Sequence, residues 1–171
     1  MNRKRYTVTV TASALLMGLA AGLTINTNII ENNFSNEEHE HALLFIEVNG
    51  TQVDLTKDKY QLQSSEVHLE NNRSNIVHKH RDGVQWKEFF QTINIDINHT
   101  EEESCLKLDQ KRQCGNMTVL LNGQEYNREK EIDQGDKLAI VIGENNKRRA
   151  EAFMEFKIPQ QFRKPDLTTK V

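Results

Sequence analysis

The sequence is poor in cysteine, proline and glycine, with two, two and eight of them among its 171 residues. So few glycines and prolines exclude a collagen-like chain and a linker-dominated chain. The two cysteines, Cys105 and Cys114, do not form a Cys-x-x-Cys pair, so a thioredoxin-like redox dithiol is not indicated. The sequence also has no P-loop, no Gly-x-Gly-x-x-Gly fingerprint and no Ser-His-Asp or Cys-His nucleophile arrangement.

The chain also lacks the positive charge that a nucleic-acid-binding surface needs. Its formal net charge is −3, and part of its positive charge, from Arg3, Lys4 and Arg5, stands at the N-terminus. Behind these residues the chain is more acidic still, so we predict no nucleic-acid partner. The content of apolar residues, 36%, and of charged residues, 27%, is ordinary for a globular protein, and the length predicts one domain.

A stretch without any charge covers residues 6–30, between the basic N-terminus and an acidic segment that begins at Glu31. A membrane anchor needs about 20 apolar residues, whereas a signal peptide has an apolar run of about 7–15 and a cleavage site. We predict that residues 1–30 form an uncleaved signal anchor, a transmembrane helix, with a cleaved signal peptide as the alternative. Because Lys and Arg mark the cytoplasmic flank, we expect a single-pass protein of the cell membrane. Its C-terminal domain would lie outside, after a polar linker at 31–38.

The two cysteines are an even number, as expected of an exported domain in an oxidising compartment. We predict a disulfide between Cys105 and Cys114 that closes a short loop and contributes about 2–3 kcal/mol. A metal-binding role or a working dithiol is the alternative. Exported Asn-x-Ser/Thr triplets can also be glycosylated. Such triplets begin at Asn33, Asn49, Asn72, Asn98 and Asn116.

Turn signals predict three hairpins. The pairs Asn49-Gly50 and Asn122-Gly123 are the commonest two-residue hairpin turns. A third hairpin is expected between segments 66–70 and 76–80, because residues 71–75 between them are polar turn material. The continuous apolar run at 137–142 predicts a central strand buried on both faces. We therefore predict a mainly antiparallel β-sheet in residues 39–144, with a β-grasp-like arrangement.

One helix is predicted to pack on this sheet, which makes the fold class α+β. Trp86, Phe89, Phe90 and Ile93 follow one another at the spacing of a single helix face. Asp82 can accept hydrogen bonds from the backbone amides at the start of such a helix, and Gln85 stands three residues later, as in a capping box. Residues 145–171 are rich in charge and broken by two prolines, so we predict a charged C-terminal tail that is peripheral to the domain or partly disordered, with a short helix at 150–156 as one option.

Five of the six histidines lie between residues 39 and 80, in segments predicted to be strands. Because alternate residues of a strand share a face, pairing of segments 66–70 and 76–80 would bring three imidazoles and a carboxylate together. Neutral imidazole and carboxylate suit zinc or copper(II). We therefore predict a copper or zinc site. The candidate ligands are His39, His41, His68, Glu70, His78 and His80. The alternatives are a pH-sensitive cluster without metal and ordinary solvated histidines.

The histidine pattern resembles that of a family of exported, N-terminally membrane-anchored archaeal proteins. The resemblance covers roughly residues 38–144 and rests on His-x-His-Ala from His39, Val-His-Leu-Glu from Val67 and His-Lys-His from His78. The run at 135–143 resembles the family's Asp-x-Ile-Leu-Ile-x-x-Gly ending. Members are often labelled protein-disulfide isomerase. The resemblance therefore implies an extracytoplasmic domain and, through that label, thiol–disulfide exchange.

The sequence leaves three functions open. The first is a binding module, a membrane-anchored extracytoplasmic domain that captures copper or zinc or acts in a surface complex. The second is an enzyme that performs thiol–disulfide exchange through Cys105 and Cys114. The third is a structural or partner-binding surface domain without a site. The expected partners are the membrane, through the N-terminal anchor, and a protein at the cell surface.

Overall fold

The computed structural model describes residues 39–100 and 103–163. The predicted signal anchor at 1–30 and the linker at 31–38 lie outside the described residues. Across the described ranges, no helix is long and apolar enough to cross a membrane. The strands are β1 (Glu40–Val48), β2 (Thr51–Gln52), β3 (Val67–Leu69), β4 (Ile76–Lys79), β5 (Ile95–His99), β6 (Ser104–Leu108), β7 (Lys111–Cys114), β8 (Met117–Leu121), β9 (Gln124–Glu125) and β10 (Lys137–Ile142). The helices are α1 (Trp86–Thr92) and α2 (Asn146–Met154), with short 3-10 helices at Asp58–Tyr60 and Gln160–Phe162.

The strands form two sheets, and the fold is α+β, as predicted. The main sheet has the order β3-β4-β1-β10-β8-β9, with β2 paired to the end of β1, and the small sheet has the order β5-β6-β7. All pairs between the described strands are antiparallel except β1 with β10, which run parallel at the centre of the main sheet. The central position of β10 confirms the prediction made from its continuous apolar run.

Both Asn-Gly pairs make the hairpin turns that the sequence predicts. Asn49 and Gly50 have φ angles of 49° and 81° between β1 and β2, and Asn122 and Gly123 have 54° and 81° between β8 and β9. Asparagine and glycine tolerate this left-handed region better than other residues, and a tight hairpin requires it. These turns reverse the chain, so that β2 pairs with β1 and β9 pairs with β8.

The main core lies between one face of the main sheet and α1, with the small sheet also contributing. The predicted apolar stripe is confirmed, because Trp86, Phe89 and Phe90 are all buried. The predicted capping box is wrong, since the helix begins at Trp86 and Gln85 makes no side-chain cap. Asp82 instead accepts a hydrogen bond from the backbone N–H of Gly83.

A second helix, α2, also packs against the main sheet. The sequence predicts only one packed helix, followed by a peripheral charged tail. Ala150, Phe153, Ile158 and Phe162 are buried in a second apolar cluster on the other face of the sheet. Strand β10 faces this cluster with Val141, among other residues. The apolar residues of α2 are few and stand among many charged ones, so composition alone does not reveal the buried face.

The predicted disulfide is confirmed. Cys105 of β6 and Cys114 of β7 are bonded and directly opposite each other in the small sheet. Cys105 is buried, whereas Cys114 is exposed. The bond therefore joins neighbouring strands of one hairpin, which is the position of a structural crosslink.

Candidate metal centre

The register of three neighbouring strands aligns three of the predicted histidines. His78 of β4 lies directly opposite His41 of β1 on one side and opposite His68 of β3 on the other. Directly opposed residues in antiparallel strands share a face of the sheet. These three imidazoles therefore form a row across the edge of the main sheet, on the face that carries the second apolar cluster.

The remaining candidates, His39, Glu70 and His80, each lie two residues from one of these histidines, just beyond the end of its strand, and lie on the same side of the sheet. The ring centroids of His39 are 4.7 Å from those of both His41 and His80, and 5.8 Å from that of His78. The rings of His41 and His78 are 4.6 Å apart, and those of His68 and His80 are 5.0 Å apart. The five imidazoles thus form a single group, which we call the histidine cluster.

Three members of the histidine cluster could hold a metal ion. His39, His41 and His78 each offer one ring nitrogen, and these nitrogens all lie within 4.8 Å of one another. The Nε2 atoms of His39 and His41 are 3.1 Å apart. Ligand nitrogens at about 2.0–2.1 Å from a tetrahedral zinc ion lie about 3.3 Å from one another. The pair of His39 and His41 already has that spacing.

His78 is the most buried ring of the cluster, with 3% of its surface exposed, against 8% for His68. Neither of its ring nitrogens has a hydrogen-bond partner among the described residues. Burial lowers its pKa to about 4, against the opposing charge of Glu70, and the neighbouring His41, His68 and His39 lower it further. The pKa of His41 is lowered as well, by burial first and then by His39 and His80. Burial therefore favours the neutral, metal-binding form of His78 and His41.

Glu70 reaches into the cluster from the end of β3. Its carboxylate oxygens lie 3.5 Å from Nε2 of His68 and 3.6 Å from Nε2 of His78. Nδ1 of His68 is 2.8 Å from the carbonyl oxygen of Ser64, which can only accept, so this nitrogen carries the proton. Nε2 is then the nitrogen of His68 that faces the carboxylate of Glu70.

A C-terminal segment covers the cluster. The ring of Phe162 lies 5.0 Å from that of His41 and 6.0 Å from that of His78. The side chain of Gln134 donates to the carbonyl of Phe162 and accepts from the backbone N–H of His41. The guanidinium of Arg73 lies 4.9 Å from the centre of the Phe162 ring. The sequence does not predict these three neighbours; its one signal is an aromatic residue in a polar stretch after Pro159.

The sixth histidine, His99, lies elsewhere. It ends β5 in the small sheet, is exposed, and its Nδ1 is 2.8 Å from the hydroxyl of Ser104. It takes no part in the histidine cluster, and it serves below as a matched control for variants of the cluster.

The fold and the site together define an α+β domain that carries a candidate metal centre of histidines on one face of its main sheet. Comparison with known proteins adds no relative: no family model, no curated protein and no solved structure matches this chain.

Acidification of the metal-free protein is expected to destabilise the fold through His78. Its pKa is about 4 in the folded state, against the ordinary value of 6.5 expected in the unfolded chain. As pH falls through this interval, the unfolded state binds the proton first, so stability present above about pH 6.5 is lost towards about pH 4. The loss expected from this group is at most about 3 kcal/mol, measured by urea unfolding in the presence of a chelator.

Other groups also titrate in this range, so the difference between variants is the informative quantity. The variant His78→Gln should show a shallower fall in stability with pH than the wild type, whereas His99→Gln should follow the wild type. If the stability of His78→Gln and that of His99→Gln fall equally with pH, His78 does not cause the loss of stability.

Proposed function

We propose that this protein binds a zinc or copper(II) ion through His39, His41 and His78, and that it works outside the cytoplasm on an N-terminal membrane anchor. The observation that carries the proposal is the buried His78, whose two ring nitrogens lack partners within the described ranges while two further imidazoles face it. A buried polar group without a partner is unfavourable. A metal ion bound to that ring supplies a partner for one of the two nitrogens.

Glu70 is the fourth ligand in this proposal, because its carboxylate faces both His78 and His68 from the adjoining strand. His68 is oriented in the way that metal ligands usually are: its Nδ1–H donates to a backbone carbonyl, which leaves Nε2 directed at the site. Four protein ligands close a metal site, whereas three leave a position open for a substrate. A closed site favours metal capture over catalysis.

The location outside the cytoplasm rests on the uncharged stretch at residues 6–30 and its basic flank. The disulfide between Cys105 and Cys114 supports it, since disulfides persist in oxidising compartments. The resemblance to exported archaeal proteins points to the same location. The β-grasp-like arrangement belongs to this proposal as well, and the parallel central pair of β1 and β10 supports it.

The test is the metal content of the full chain, purified without a polyhistidine tag. The wild type, loaded with zinc or copper(II) and freed of excess metal, should retain about one ion per chain by elemental analysis. The double variant His41→Ala/His78→Ala should retain almost none, because two of the three converging imidazoles are gone. The control His99→Ala should retain as much as the wild type.

Equal metal contents in the cluster variant and the His99→Ala control would end the proposal. A wild type that retains neither metal would favour a structural or partner-binding domain instead. Thiol–disulfide exchange would be favoured if mild reductant opened the Cys105–Cys114 bond in the folded protein.

A further inference from the structure

A second candidate site lies between β1 and α2, in a cavity whose lining includes none of the six predicted metal ligands. The cavity has a volume of about 600 Å³. Small-molecule sites typically enclose about 300–1,000 Å³ and combine apolar walls with a few polar groups. Its size therefore suits a small organic ligand.

Three aromatic rings form part of the cavity wall, beside polar residues that include Gln52 and Asn75. The ring of Phe45 stacks on that of Phe153 at 5.1 Å and 18°, and the ring of Phe156 lies 5.8 Å from that of Phe153. Phe156 is 64% exposed, one of two large apolar side chains so exposed among the described residues. A bulky apolar ligand placed here would remove that ring from water and would stack on aromatic faces.

The charge at the cavity is positive. Arg149 forms an ion pair with the buried Glu47, so its charge is already compensated. Arg148 also lines the cavity, is exposed, and forms no ion pair with any acidic side chain that the structure describes. A guanidinium binds a carboxylate through two parallel hydrogen bonds. The uncompensated charge therefore selects an anionic ligand over a neutral or a cationic one.

We infer that this cavity binds a free amphipathic carboxylate, whose aromatic or polycyclic body packs on Phe45, Phe153 and Phe156 and whose carboxylate pairs with Arg148. The site is separate from the proposed metal centre and does not depend on it. A variant that abolishes ligand binding should leave the metal content of the protein unchanged.

The test uses the full chain in phosphatidylcholine nanodiscs, with empty nanodiscs as the blank and 1-pyrenebutyrate as a fluorescent probe. The probe should bind at least about tenfold more tightly than its neutral analogue 1-pyrenebutanol, since the alcohol cannot pair with a guanidinium. Arg148→Glu should weaken the binding of 1-pyrenebutyrate by at least about tenfold. The matched control is Lys147→Glu, which reverses the charge of the neighbouring residue on α2. Lys147 does not line the cavity, so this variant should bind the probe as the wild type does.

Filling the cavity tests the location independently of charge. Ala152 lines the cavity and is exposed, so Ala152→Trp should fill the space without disturbing the core, and should abolish probe binding. Equal affinities for the carboxylate and the alcohol, equal effects of Arg148→Glu and Lys147→Glu, or full binding by Ala152→Trp would each overturn the inference. The probe could also bind in phosphatidylcholine nanodiscs and fail to bind in phosphatidylglycerol nanodiscs. That result would mean that an anionic lipid headgroup competes for the cavity, and it would overturn the inference too.

Discussion

Replacement of Lys79 by alanine is expected to lower the free energy of unfolding by about 3–5 kcal/mol. Lys79 lies in the four-residue strand β4 and is only 1% exposed, which is unusual for a lysine. Its ammonium lies 3.1 Å from Oε2 of Glu40, 2.6 Å from Oε1 of Glu131 and 2.9 Å from the carbonyl oxygen of Ile132. The variant removes this ammonium from beside the buried carboxylate of Glu40.

The measurement is denaturant unfolding followed by circular dichroism, with two matched variants. Arg112→Ala removes the exposed ion pair with Glu103 and should cost no more than about 1 kcal/mol. Lys79→Met/Glu40→Gln removes both buried charges, and should recover much of the loss because the penalty arises from the charge left behind. If Lys79→Ala is no more harmful than Arg112→Ala, the buried ion pair does not stabilise the fold.

The elements that depend on local sequence are those that the sequence predicts well. The Asn49-Gly50 turn needs only its own residues, and the stripe from Trp86 to Phe90 needs only one turn of helix and an apolar surface to cover. The parallel pairing of β1 with β10 is different, because it joins residues about ninety positions apart, such as Leu44 and Leu138. No local pattern specifies such a pairing.

The candidate metal centre combines both kinds of information. Alternation along a strand predicts that His78 and His80 share a face, and the polar break before Ile76 predicts the hairpin that pairs His78 with His68. The contribution of His41 depends on the pairing of β1 with β4, which is non-local. The sequence therefore predicts the type of ligand and the face, but it does not predict which rings come closest.

Lys79 shows the limit of such reasoning most clearly. It stands between two histidines in the sequence, yet alternation turns it to the opposite face of the sheet from them. A charged residue in a strand normally faces water, and burial is tolerated only when partners meet the charge. Those partners, Glu40 and Glu131, come from distant parts of the chain. The same short strand thus supplies a candidate metal ligand to one face and a buried ion pair to the other.

Metal binding is expected to stabilise the fold strongly, because the proposed ligands lie on different strands. His39 and His41 belong to the β1 segment and His78 to β4, so an ion that binds all three links the two strands in the folded state. At a free metal concentration about 1,000 times the dissociation constant, the expected stabilisation is about 4 kcal/mol. That corresponds to a rise in melting temperature on the order of 10 °C.

Thermal unfolding with and without zinc or copper(II) measures this effect, and a chelator should reverse it. The variant His41→Ala/His78→Ala should show almost no rise, since too few ligands remain, whereas His99→Ala should show the full rise. Unfolded chains also bind metal through their histidines, which reduces the shift in every variant but does not favour the wild type. A rise of equal size in His41→Ala/His78→Ala would therefore show that the bound metal does not depend on His41 and His78, and would contradict the proposed centre.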